Sequence, residues 1–323
     1  MTRTSLLYAL LRGFVASART WKALLVALFV NGLIATVAVA PLAASLHESL
    51  DRLPGAGSES PVLLFLAFQR HDPGVFGPWD RWQDLLTGGE VDGSFFSMPG
   101  AAGSLLWVGL LSVLVNGLLA GGFAGRVSGT RDRSSLAAFG ADCGKFAATS
   151  LVFTCVSLAG LLGAYVIAFQ LPGRLYDPAA RQYEWEHVLL LLARLAAFLV
   201  VAGIVRLVVL YARATTGLSR KGNPFVSLYS AATFVLSRPL ATLTLDVLIG
   251  LLGLVPLGAW LLFAPEWDGR SPAGFALSFA VLQASVLLRI FVRVAHLGAA
   301  ATYLRGATEK ARPAPDLIEP PGP

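Results

Sequence analysis

Six long apolar runs, separated by polar segments, dominate the hydrophobic pattern of this chain. A helix that crosses a bilayer needs about 20 mainly apolar residues, and each run supplies that length. The runs therefore predict an all-α integral membrane protein with six transmembrane helices in one membrane domain, residues 1–311. The approximate bounds of the predicted spans are 21–46, 103–125, 146–171, 187–213, 240–264 and 272–297.

Shorter segments before the first, third and fifth runs also show helical spacing. Before the first run, the apolar positions predict a helix that lies in the membrane interface. Asn223 followed by Pro224 is typical of a helix start, and that helix is expected to stop before Pro239. Residues 134–144, before the third run, show a weaker form of the same helical pattern. The order predicts three units, each an elbow helix followed by a transmembrane hairpin. The apolar positions of the first segment are Leu6, Leu7, Leu10, Leu11, Phe14 and Val15.

Two stretches fall outside the helical pattern. Residues 47–102 are expected to form an outer loop, which is too long to be structureless in a compact protein. The tail, residues 312–323, is rich in proline and is predicted to be disordered.

Composition supports a membrane location. Hydrophobic residues make up 55% of the 323 residues and charged residues only 14%, a combination that a soluble domain does not show. The formal charge of +6 comes from short basic clusters between apolar runs, which indicates contact with anionic lipids rather than nucleic acid. The two cysteines form no CxxC motif, so neither a disulfide framework nor a zinc site is predicted.

The distribution of charge predicts the orientation of the helices. Lysine and arginine collect before the first run, between the second and third, and between the fourth and fifth, whereas acids crowd the alternate segments. Because basic segments stay in the cytoplasm, both termini are expected there. The expected location is the cytoplasmic (inner) membrane of a bacterium.

Patterns of catalytic residues are missing from the sequence. It contains no HExxH, no GxSxG and no phosphate-cradling GxxxxGK(S/T). The histidines are scattered without the spacing of metal ligands. We therefore expect no enzymatic activity, no cofactor and no metal site. The histidines are His47, His71, His187 and His296.

Charged residues within the apolar runs are the main functional candidates, because charge inside a bilayer is costly to keep. Arg206, Asp246, Arg289 and Arg293 all fall in the cytoplasmic half of the predicted spans. If Asp246 neutralises one arginine, the others can bind a phosphate or carboxylate. In the alternative interpretation, Arg206 and Arg293 extend to the interface while Asp246 and Arg289 form a structural pair.

Three short motifs after residue 105 resemble a family of uncharacterised bacterial membrane proteins with six helices. The motifs are the Gly121–Gly122 pair, the CGKF sequence from Cys143 to Phe146, and the YAR sequence from Tyr211 to Arg213. The resemblance implies the same fold and a cytoplasmic-membrane location, without an established activity. This chain departs from the family at Leu210, where an acid is common.

These observations predict a protein that binds or moves an amphiphile or an anion through the Arg/Asp group. One alternative is a structural or assembly subunit, with a protein partner or a second copy of the chain. A lipid-modifying enzyme is a further alternative, because side chains near the end of the fourth run are expected to contact headgroups. The lack of a catalytic acid or base among them makes this alternative weaker than the other two. These headgroup candidates are Tyr211, Arg213, Arg220 and Lys221.

Overall fold

The computed structural model describes residues 5–51, 101–128, 135–171, 184–220, 223–263 and 272–311. Within these ranges the secondary structure is helical and contains no strand. Most of the predicted outer loop and the predicted disordered tail lie outside the described residues. The helices are α1 (Leu6–Arg19), α2 (Trp21–Asp51), α3 (Ala101–Ser128), α4 (Leu136–Lys145), α5 (Ala147–Tyr165), α6 (Glu184–Ser219), α7 (Pro224–Ser237), α8 (Pro239–Phe263) and α9 (Pro272–Ala311).

Four stretches of the described residues are long and apolar enough to cross a bilayer. Two bent pairs meet the same test when each pair is taken together: α1 with α2, bent by 72°, and α7 with α8, bent by 98°. The described part is therefore all-helical, with four to six candidate membrane spans, as expected of a multi-pass membrane protein. The four stretches are Val108–Ser128, Ala147–Gln170, Val188–Ser219 and Gln283–Glu309.

The three short helices predicted before apolar runs are present as α1, α4 and α7. Each begins with a side chain that accepts a hydrogen bond from a backbone N–H group of the first turn. The caps are Ser5, Ser135 and Asn223, at N···O distances of 3.1, 3.4 and 3.1 Å. Such caps satisfy N–H groups that have no partner within the helix. One residue then separates each short helix from the long one that follows: Thr20, Phe146 and Arg238.

The chain divides into two compact units. The first contains Met1–Leu28, Asn116–Val156 and Arg206–Pro323, and the second contains Phe29–Val115 and Ser157–Val205. In the first unit, α9 is buried on every side over residues 294–301, a run in which alanine and glycine predominate. A helix buried all round is the centre of its packing unit.

Helix α1 contacts this buried part of α9 through two glycines. A Cβ atom on Gly13 would overlap the carbonyl oxygen of Ala295, and one on Gly298 would lie 3.0 Å from Gly13 Cα. The Ser17 hydroxyl donates a hydrogen bond of 2.9 Å to the carbonyl oxygen of Phe291. Because side chains are absent at the crossing point, the two backbones approach closely and α1 is held along α9.

In the second unit, the end of α5 packs against α6. A π-helical turn, Val166–Gln170, continues α5. It brings Phe169 within 5.5 Å of the Tyr165 ring and 6.0 Å of the Phe198 ring, measured between centroids. These aromatic contacts fix the pairing of the two helices within this unit.

The Gly13 contact predicts the effect of adding one methyl group. Gly13→Ala should lower the free energy of unfolding by about 1–3 kcal/mol, because the new Cβ meets backbone atoms that cannot rotate away. The measurement is the midpoint of thermal unfolding in detergent. Gly140→Ala in α4 is the matched control, since no atom lies within 4 Å of its new Cβ. An equal shift in the two variants would contradict the packing described here.

Candidate functional site

Helices α6, α8 and α9 bring three polar side chains together in the first unit. Asp246 Oδ1 lies 3.5 Å from Arg206 Nη2 and 3.3 Å from His296 Nε2. The exposed fractions of these side chains are 15%, 62% and 6%, for Asp246, Arg206 and His296 respectively. Asp246 Oδ1 is itself buried and makes no well-formed hydrogen bond within the described residues. The carboxylate is thus paired by charge but incompletely hydrogen-bonded.

Arg206 and three neighbouring arginines on α6 and α9 form a group that we call the arginine cluster: Arg206, Arg213, Arg289 and Arg293. Arg293 is within electrostatic range of Arg206 and Arg289, and Arg213 is within range of Arg293. The other acids in the described part of the first unit are Asp142, which pairs with Arg126, and Glu309. Four positive charges against one negative charge therefore leave the cluster strongly cationic when His296 is neutral.

Helical periodicity explains how these side chains share one region. Arg206 and Arg213 are seven residues apart on α6, and Arg289, Arg293 and His296 follow at intervals of four and three on α9. Such intervals place side chains on one helix face. The spacing of the four histidines relative to one another does not single out His296. Its position three residues after Arg293, on the same helix face, is the sequence signal that identifies it.

Tyr211 occupies a different environment from the headgroup position expected from the sequence. Only 1% of the residue is exposed, and its ring centroid lies 5.3 Å from that of Phe234, which is 5.8 Å from Tyr303. The hydroxyl is buried, makes no hydrogen bond in the described residues, and is within electrostatic range of Asp246. The aromatic contact with α7 covers Tyr211, so its hydroxyl lies inside the unit.

The other headgroup candidates separate into distinct positions. Arg213 is partly buried, and its Nε has no hydrogen-bond partner within the described residues. Arg220 is exposed just after α6, with a left-handed φ of 52°, and its N–H donates a 2.9 Å hydrogen bond to the Thr216 carbonyl oxygen. This is a common helix-ending geometry. Lys221 lies outside the described residues.

The glycine pair and the CGKF sequence pack against each other in the first unit. A Cβ on Gly122 would lie 2.7 Å from the Phe139 ring and still closer to the Cys143 sulfur. Nearby, buried Arg126 pairs with Asp142 at 3.0 Å. Burial raises the pKa of the Cys143 thiol, which makes it a poor nucleophile. These motif residues therefore join α3 to α4, and their contacts are structural.

Comparison with known proteins adds no precedent for this arrangement. The chain matches no family model, no curated protein and no solved structure. Among the residues that the structure describes, no group of three or more histidine, cysteine or acidic side chains could hold a metal ion. The chemistry of the arginine cluster is therefore the strongest functional indication.

Replacing Asp246 tests whether its charge balances the arginine cluster. Asp246→Asn should lower the free energy of unfolding by about 1–3 kcal/mol, between the values for exposed and buried ion pairs. The measurement is thermal unfolding with and without pyrophosphate. This anion should restore much of the lost stability, because its negative charge replaces that of Asp246 beside the arginines. Glu309→Gln removes one exposed negative charge from the same unit and should change stability by less than about 0.5 kcal/mol. Equal effects of the two substitutions would rule out this role for Asp246.

Proposed function

We propose that this chain is a non-enzymatic, multi-pass protein of a bacterial inner membrane that binds or moves an anionic amphiphile through the arginine cluster. The observation that carries the proposal is the unmatched positive charge around Asp246. Asp246 pairs with Arg206 among the four arginines, and the Nε of Arg213 is buried without a hydrogen-bond partner in the described residues.

A bound anion would resolve this imbalance. A buried guanidinium is costly when no acceptor satisfies its N–H groups. Phosphate and carboxylate oxygens match the planar fork of arginine and accept two parallel hydrogen bonds. Arg213 and Arg293 supply such donors near one another. The ligand class is therefore one with a phosphate or carboxylate group.

The surroundings of the cluster favour an amphiphile over a free anion. Leu243 and Val247 on α8 are about half exposed, and they flank Asp246 in sequence. Leu288, next to Arg289 on α9, is also exposed. In a membrane protein such side chains contact acyl chains. An acyl chain on this apolar surface would place its own charged headgroup near the arginines.

The proposal includes a membrane topology, which the charge distribution and the motif resemblance support. We infer six spans, arranged as three elbow-helix and hairpin units, with both termini in the cytoplasm. The short helices α1, α4 and α7 each precede a long apolar helix, as this arrangement requires.

Reporter fusions test the orientation. A fluorescent protein joined to the C-terminal end of the chain should fluoresce, because it folds in the cytoplasm. Alkaline phosphatase at the same position should be inactive, since it needs the periplasm to form its disulfides. Active phosphatase with a dark fluorescent fusion would overturn the proposed orientation.

Ligand retention tests the proposed function. Native mass spectrometry of protein extracted with its surrounding lipid should detect a bound anionic lipid or anion in the wild type. Arg213→Gln and Arg289→Ala should each weaken retention about tenfold or more, since a hydrogen bond to a charged group contributes about 1.5–3 kcal/mol. Arg19→Gln is the control: Arg19 is exposed and lies on α1, outside the cluster.

The same experiment separates the rival functions. A protein partner that survives every substitution, with no small ligand in the wild type, would replace the proposal with an assembly subunit. A lipid whose headgroup is altered during incubation with the wild type would indicate an enzyme.

A further inference from the structure

A second polar site lies in the first unit, away from the arginine cluster. A cavity of about 250 Å³ forms where α1, the end of α3 and the last turns of α9 meet. Its polar lining includes Tyr8, Arg12, Arg305 and Glu309. Arg305 is twelve residues beyond Arg293, or about 18 Å along the helix axis. The two sites therefore share no residue and are well separated.

Two arginines of this cavity are held in place by neutral groups. Arg12 Nε donates a 2.9 Å hydrogen bond to the Tyr8 hydroxyl, and the guanidinium carbon lies 5.4 Å from the Tyr8 ring centroid. Arg305 Nη2 donates a 2.9 Å hydrogen bond to the carbonyl oxygen of Ser128. Within the described residues neither arginine forms an ion pair with a carboxylate. Each uses one of its five N–H donors in these bonds, so both keep donors for an anion.

Helix α1 presents an apolar stripe beside the cavity. Leu7, Leu11 and Val15 are exposed and recur every four residues, so they share one helix face. The opposite face of α1, which includes Gly13, contacts α9. The Ser17 hydroxyl donates a hydrogen bond to Phe291 while Arg12 lines the cavity with Arg305, so α1 lies along α9 and the stripe extends away from the cavity along that helix. The exposed stripe can then enter the acyl region while Tyr8 and Arg12 stay at headgroup depth.

We propose that the cavity binds the phosphodiester of a membrane phospholipid whose acyl chains lie along the Leu7–Leu11–Val15 stripe. The cavity is smaller than the 300–1,000 Å³ of pockets for whole small-molecule ligands, and its size suits a headgroup. Glu309, exposed at the cavity, repels a second negative charge. A phosphodiester, with one negative charge, therefore fits better than a phosphomonoester, which carries nearly two.

Lipid titration of the detergent-purified full chain tests this site. Native mass spectrometry would compare dioleoylphosphatidylglycerol with dioleoylglycerol, which has the same chains and no phosphate. The wild type should bind the phospholipid at least tenfold more tightly. Arg12→Gln and Arg305→Gln should each abolish that preference for one bound lipid molecule per protein. Arg19→Gln, which like Arg12 lies on α1, should retain it. Equal binding of the two lipids, or an unchanged preference in both arginine variants, would overturn the proposal.

Further variants separate this site from the alternatives. Leu11→Gln should weaken phospholipid binding without changing the response to inorganic phosphate, because it alters only the stripe. Inorganic phosphate that binds as tightly as the phospholipid would overturn the lipid assignment. If Arg305→Gln fails to fold, Arg12→Gln decides the outcome. Arg12 is exposed and its side chain donates a hydrogen bond to Tyr8 of the same helix, so its replacement should leave the fold intact. Arg213→Gln should leave this bound lipid molecule in place, so failure here is distinguishable from failure at the arginine cluster.

Discussion

The close approach of α1 to α9 at Gly13 and Gly298 is the contact on which the first unit depends. A bilayer supplies no hydrophobic force that drives apolar helices together, so their association relies on dense packing between small residues. With no side chain between the backbones, α9 is buried at the centre of the unit. Both proposed sites use side chains of α9, Arg293 in one and Arg305 in the other. Displacement of α1 would therefore disturb the cavity directly, because α1 lines it. It would disturb the arginine cluster indirectly, through the position of α9.

Small residues serve the same purpose at other positions of the first unit. Gly122 on α3 leaves room for Cys143 and Phe139 of α4, and Gly217, four residues after Arg213, leaves room for the carbonyl oxygen of Ala124. The three motifs that suggested a family thus lie on helices that pack closely within the first unit. These close contacts account for the absence of a side chain at Gly122 and Gly217.

Charge is arranged differently at the two sites, and this difference separates their expected ligands. At the arginine cluster, the partly buried carboxylate of Asp246 pairs with Arg206, and Arg206, Arg289 and Arg293 are exposed at the surface of the unit. At the cavity, two exposed arginines are oriented by a hydroxyl and a carbonyl group. The ligand proposed for the first arrangement is an anion held by several guanidinium groups. The ligand proposed for the second is a lipid headgroup held by two arginines.

The sequence by itself determined the helical membrane class, the short helices before the long ones, and the start of α7 at Asn223, because hydropathy, spacing and capping are local properties. It placed the last span at 272–297, whereas α9 continues to Ala311, since a helix can outlast its apolar stretch. Only the tertiary structure joined Arg206 to Asp246, added His296 and buried Tyr211. Partners across helices depend on which faces meet, and local patterns do not contain that information.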